Sequence, residues 1–60
     1  MNMKEMREAA EAALRELNEK AAGRDFTPEE AEEISAHATT IENAKKIEAA
    51  AKASDELLAG

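Results

Sequence analysis

Gly23-Arg24-Asp25-Phe26-Thr27-Pro28-Glu29-Glu30 is the stretch whose reading decides the fold. Gly23 reads as a helix C′ residue, because glycine enters the left-handed region without a Cβ penalty. Thr27 reads as the next N-cap, Pro28 as the first helical residue and Glu30 as the third residue of a capping box. Phe26 then occupies N′, where its staple partner at N4 is Ala31, a small target. One helix ends here and another begins, and nothing else in the chain marks a domain boundary. The expected fold is all-α: an antiparallel helical hairpin, coiled-coil-like, in a single domain over residues 1–60.

Outward on the N-terminal side, helix 1 is expected over about residues 2–22, with Met1 frayed. Met3, Met6, Ala10, Ala13, Leu17 and Ala21 recur at spacings of 3, 4, 3, 4 and 4, a short heptad seam that Leu14 broadens. Glu5, Glu8, Glu11, Arg15, Glu16 and Glu19 lie off this seam and read as a solvated face. Glu11 with Arg15 and Glu16 with Lys20 are acid-before-base pairs at i,i+4.

On the C-terminal side, helix 2 is expected over about residues 28–58. Glu29, Glu30, Glu32 and Glu33 open it, where the helix dipole favours negative charge. Ile34, Ala38 and Ile41 form one apolar stripe, but Ile47, Ala51 and Leu58 lie about 120° around an ideal helix from it. Ala44 falls between the two sectors. The apolar face therefore rotates near Thr39, Thr40 and Asn43, all weak helix formers.

Folding the helices back through residue 25 pairs Leu17 with Ile34, and Leu14 or Ala13 with His37 and Ala38. It pairs Ala10 with Ile41, Met6 with Ala44, and Met3 with Ile47. The intramolecular seam is thus Met3, Met6, Ala10, Leu14, Leu17, Ile34, Ala38 and Ile41. Helix 1 spans about 30 Å and helix 2 about 45 Å, so residues beyond roughly Glu48 have no partner within the chain. Ala44, Ile47, Ala51, Leu57 and Leu58 are the expected self-association residues. An overhang ending in two leucines asks for another chain or a following domain, and the chain reads as the first segment of a longer protein.

Composition points the same way. Of the 26 hydrophobic residues, 15 are alanine, which leaves four Leu, three Ile, three Met and one Phe to build a core. That is thin for sixty residues, near the size where one core barely offsets chain entropy. A homo-oligomer, or docking on a larger partner, is expected. The formal charge of −6 argues against nucleic acid, whose recognition needs clustered Lys and Arg, and against an anionic membrane surface. No cysteine is present, so there is no disulfide framework or thiol chemistry. No apolar run is long enough to span a bilayer and no signal-peptide core opens the chain. A soluble cytoplasmic protein is the expectation.

Catalytic and metal-binding residues are hard to find. His37 is the only histidine and Glu33 lies one turn before it, a spacing that can supply two metal ligands. No second pair completes a shell, so an interface histidine is the simpler reading. The carboxylates of the acidic turn lack pocket-forming neighbours for acid–base work. Ser35 and Ser54 form no triad-like arrangement with His37. Met3 and Met6 suit an adaptable groove, although their spacing already explains them as seam residues. No enzyme activity, cofactor or metal is expected.

The run Glu19-Lys20-Ala21-Ala22-Gly23-Arg24-Asp25-Phe26-Thr27-Pro28-Glu29-Glu30 resembles the N-terminal scaffolding (delta) domain of tailed-phage major capsid proteins of the Hong Kong 97 fold. In that family a helix rich in Ala, Glu, Leu and Arg leads through Gly-Arg-Asp-Leu-Thr-x-Glu-Glu into a second long helix. Phe26 stands where the family usually carries Leu, and Ser35 to Thr40 replaces a more Leu-rich stretch. The resemblance implies a non-enzymatic domain that helps capsid subunits assemble into a procapsid in the host cytoplasm and is often removed afterwards by a maturation protease. The alternative is a small acidic helical binding module, antitoxin- or adaptor-like, that docks on one specific protein.

Overall fold

The computed structural model describes residues 2–60, so the expected fraying of Met1 lies outside the described residues. Two helices account for nearly all of them: α1, Met3–Ala21, and α2, Pro28–Ala59, packed against each other as an antiparallel hairpin. Both bounds fall within two residues of those expected from the sequence. The molecule is a rod of 50 × 19 × 15 Å whose length is that of α2.

Asn2 starts α1 from outside rather than as its first turn. Its backbone is extended, and its Oδ1 accepts from the Glu5 N–H at 2.8 Å, which satisfies one of the orphan donors of the helix start. At the other end the helix closes on Ala22, whose φ of 52° and ψ of 41° are left-handed. Gly23 follows at φ 86°, so two successive residues turn the chain, one of them with a Cβ. The Ala22 N–H donates to the Asn18 carbonyl at 3.2 Å and the Arg24 N–H to the Ala21 carbonyl at 3.0 Å.

The capping box at the head of α2 is complete. Thr27 Oγ1 accepts from the Glu30 N–H at 3.1 Å, and Glu30 Oε1 accepts from the Thr27 N–H at 2.9 Å. Arg24 closes the arrangement from the turn, with Nη1 and Nη2 donating to the two Glu30 oxygens at 2.8 and 3.0 Å. Nη1 also donates to the Asp25 carbonyl at 2.8 Å, so one guanidinium ties the loop to the helix it leads into. Phe26 is 39% exposed and Ala31 is exposed as well, so the staple closes little apolar surface.

Between the helices lies a shallow seam. Ala10, Leu17, Ala21 and Ala44 are buried, while Met3, Met6, Leu14, Ile34, Ala38 and Ile41 are half-buried. Small residues at the most enclosed positions let the helix axes approach, and they also limit the apolar area removed from water. The backbone of α2 continues without interruption through Thr39 and Thr40. Their hydroxyls donate to the carbonyls of Ser35 and Ala36, each at 3.1 Å, rather than competing with the helix. The rotation of the apolar face is thus a change in side-chain pattern on one continuous helix. Among the described residues no helix is long and apolar enough to cross a membrane.

Candidate interaction surface

The two long edges of the hairpin differ in chemistry. On one, Arg7 bridges both helices: its Nε donates to both Glu48 oxygens at 3.3 Å and its Nη1 to Glu11 Oε1 at 3.0 Å. All three side chains are more than half shielded from solvent. The hydrogen bond to Glu48, and then the Glu48 charge, raise the Arg7 pKa above its ordinary value, so the guanidinium stays charged. This tie was not foreseen, because Arg7 and Glu48 each look like one more solvated charge until the hairpin register sets them opposite one another. It also redirects the local pairing. Glu11 turns back to Arg7 rather than forward to Arg15, and among the described residues the second i,i+4 ion pair on α1 is Lys4 with Glu8 at 4.0 Å instead of Glu16 with Lys20. Glu11 follows Arg7 because the cross-helix bond has already fixed where that guanidinium lies.

The other edge carries two open grooves that meet at His37. A groove of about 200 Å³ runs between Ala13, Glu16, Leu17 and Lys20 of α1 and Glu33 and His37 of α2. Its neighbour, about 240 Å³, is almost wholly apolar and lies between Met6, Ala9 and Ala10 of α1 and His37 and Thr40 of α2. Glu33 and His37 do share a groove, as their one-turn spacing implies. Among the described residues no group of three His, Asp, Glu or Cys side chains is placed to hold a metal ion. Met6 lines the apolar groove while also sitting in the seam.

Beyond the end of α1 the surface changes again. Every residue from Ala49 to Gly60 is exposed, Leu57 at 83% and Leu58 at 85%, and Ile47 just before them is 51% exposed. Ala51 is exposed alongside them. Ala44 is different: paired with Met6 in the expected register and also counted on the outer face, it is only 2% exposed and so belongs to the hairpin interior. The exposed stripe of distal α2 therefore starts at Ile47.

The head of the hairpin is electrostatically set. Glu30 holds its carboxyl down to about 2, first through the hydrogen bond from Arg24 and then through the one from the Thr27 backbone. It is a structural carboxylate, engaged on both oxygens, and is not available as a general acid near neutrality. The described surface has three parts: a salt-bridged edge, an edge with two open grooves, and a helix that outruns its partner. No family model matches this sequence, and no similar curated protein or solved structure is found.

Proposed function

We propose that this chain is a non-enzymatic assembly domain whose copies associate through the distal part of α2. The observation that carries the reading is the pair of leucines near the end of α2, more than four-fifths exposed on a helix with no partner there, in a chain with few large apolar residues to leave in water. The thin seam supports it too, since weak burial per chain makes association reversible. Reversibility suits a temporary scaffold, in which misplaced subunits must leave before the assembly locks. Taken with the resemblance of residues 19–30, the finer proposal is a delta-type scaffolding domain. It gathers capsid subunits into a procapsid in the host cytoplasm, with the domain on the procapsid interior.

Sedimentation equilibrium over a wide concentration range tests this. The average mass is expected to rise with concentration, and Leu57→Ala with Leu58→Ala to lower it while leaving helical content nearly unchanged. A strictly monomeric protein at every concentration overturns self-assembly. It would favour the binding-module reading, for which the apolar groove beside Met6 is the specific support.

A further inference from the structure

The exposed stripe on distal α2 is cleaner than its hydrophobicity suggests. Between Thr39 and Leu58, seven charged residues share one side of the helix. On an ideal helix the opposite sector, about 140° wide, carries none and holds Asn43, Ile47, Ala50, Ala51, Ser54, Leu57 and Leu58, with the buried Ala44 at its edge. In a chain that is 37% charged, such a sector is a surface kept free of charges, the groups most costly to bury. It is also continuous with the apolar groove, since Leu58 lies eighteen residues, or about five full turns, beyond Thr40 and therefore in line with it. Ile47 falls on the same line between them. The rotation of the apolar face along α2 marks the point where it turns from α1 towards this outer edge.

We propose that this sector is covered by the α2 of a second copy, antiparallel and two-fold, in the register that sets Leu58 beside Thr40 of the other chain. The inference rests on the assembly reading above and specifies its geometry. Two arguments select a second copy in this orientation. Residues 23–33 carry five acids and one base, a net −4, whereas residues 34–60 carry four acids and three bases, a net −1. Parallel pairing would set two such turns side by side. Antiparallel pairing about Ala49 places them about 60 Å apart, far beyond a screening length of about 8 Å, and brings the nearly neutral ends together.

Packing selects the register. With Leu58 opposite Thr40, Ile47 falls opposite Ala51, so both layers set a larger residue against a smaller one. Leu58 then lies against the groove of Met6, Ala9 and Ala10, which fills surface that each hairpin leaves open. Slipping by one heptad would stack Leu58 on Ile47 and Ala51 on Ser54, leaving one layer crowded and the next hollow. Glu48 meets its own copy at the flank of the chosen register, and each is already paired with Arg7 of its own chain.

The chain has no cysteine, so single substitutions report the geometry directly. Ala50 and Ser54 are exposed, and neither replacement touches the hairpin seam. In the proposed register Ala50 faces its own copy, about 3 Å apart along the axis, while the two Ser54 positions are about 15 Å apart. Under mild oxidation, at concentrations where the reduced variants sediment as dimers, Ala50→Cys is expected to cross-link on the order of tenfold faster than Ser54→Cys, which lies beyond disulfide reach. Rapid cross-linking of both variants means parallel pairing and overturns the proposal. Cross-linking of Ser54→Cys alone means the slipped register, and of neither means another face; both overturn it. Monomeric sedimentation of the unsubstituted chain removes the assembly reading itself, an outcome distinct from the other three.

Discussion

Up to about Glu48, α2 has a capped start, a clamp from Arg24, a seam against α1 and a salt bridge across the hairpin. From Ala49 onward it has none of these and every residue is exposed, yet the helix runs on to Ala59. The comparison shows two different ways of being helical within one element. The proximal half is helical because tertiary contacts and capping hold it. The distal half extends a helix that already exists, so it avoids the nucleation cost that would make a segment this short marginal in isolation. Its alanines at 49, 50, 51 and 53 are the best residues for such propagation. A half that is helical by propensity keeps its apolar side chains presented in a fixed pattern without using them internally, as an assembly surface requires.

The largest test of that distinction is to remove one leucine from each half. Leu17 is 8% exposed and is the only buried residue larger than alanine among those described. Leu17→Ala should cost about 2–5 kcal/mol, enough in a chain this small to unfold most of the hairpin, read as loss of the far-ultraviolet helical signal and of the urea transition. Leu58→Ala, measured in dilute monomer, should leave both nearly unchanged. Similar losses from the two substitutions would mean that the distal half is folded against something within the chain.

Next in size is the cap that anchors the proximal half. Thr27→Ala should lower stability by about 1 kcal/mol, seen as a drop in urea midpoint. The Glu30 side of the same box is a pH device. Because its carboxyl is depressed from 4.5 to about 2 in the folded chain, its contribution is complete above pH 4.5 and is lost as pH falls towards 2. Glu30→Gln should therefore make the loss of stability between those two values shallower than in the parent protein. An unchanged acid transition would show that the Arg24 clamp does not persist in solution.

A glycine scan sharpens the comparison at a similar scale. Ala53 lies off the uncharged sector, so Ala53→Gly tests propagation alone. It should cost about 1 kcal/mol of local helix stability, seen as faster amide exchange from residue 53 onward with α1 unaffected. Ala38→Gly, in the seam, should instead lower protection throughout both helices. The two halves separate cleanly only if one effect stays local and the other spreads.

The hairpin itself was legible because its signals are local. Thr27, Pro28 and Glu30 define a helix start within four residues, and the 3,4 spacing from Met3 to Ala21 needs no partner to be read. The overhang followed from simple lengths. The missed features were those that depend on a second element. Arg7 and Glu48 are forty-one positions apart, and only the hairpin register brings them together. Arg24 looked like a turn residue until Glu30 presented both oxygens to it. Asn2 was within reach of sequence reasoning, since Asn with Glu three positions on is a helix-start pattern. Ala44 was ambiguous in the pattern because it lies between two apolar sectors, and burial alone assigns it to the inner one. The two grooves beside His37 had only a faint sequence signal, in Met6 and in the Glu33–His37 spacing, because their shape comes from small alanines of α1 facing His37 and Thr40 across the hairpin.

The smallest predicted effect concerns the residue that least fits its conformation. Ala22 sits at φ 52°, where its Cβ crowds the following carbonyl at a cost of about 1–2 kcal/mol, and the next residue is already the glycine that such turns favour. Ala22→Gly relieves that crowding but adds freedom to the unfolded chain, which takes back part of the gain. The net result should be a stabilisation of less than about 1 kcal/mol, a small rise in urea midpoint shared by α1 and the proximal half of α2. The distal half should not respond, because nothing that holds it passes through the turn. Amide exchange from Ala49 onward is the sensitive readout. If it slows in step with the hairpin, the two halves of α2 are one cooperative unit, and the distinction between packed and propagated helix fails.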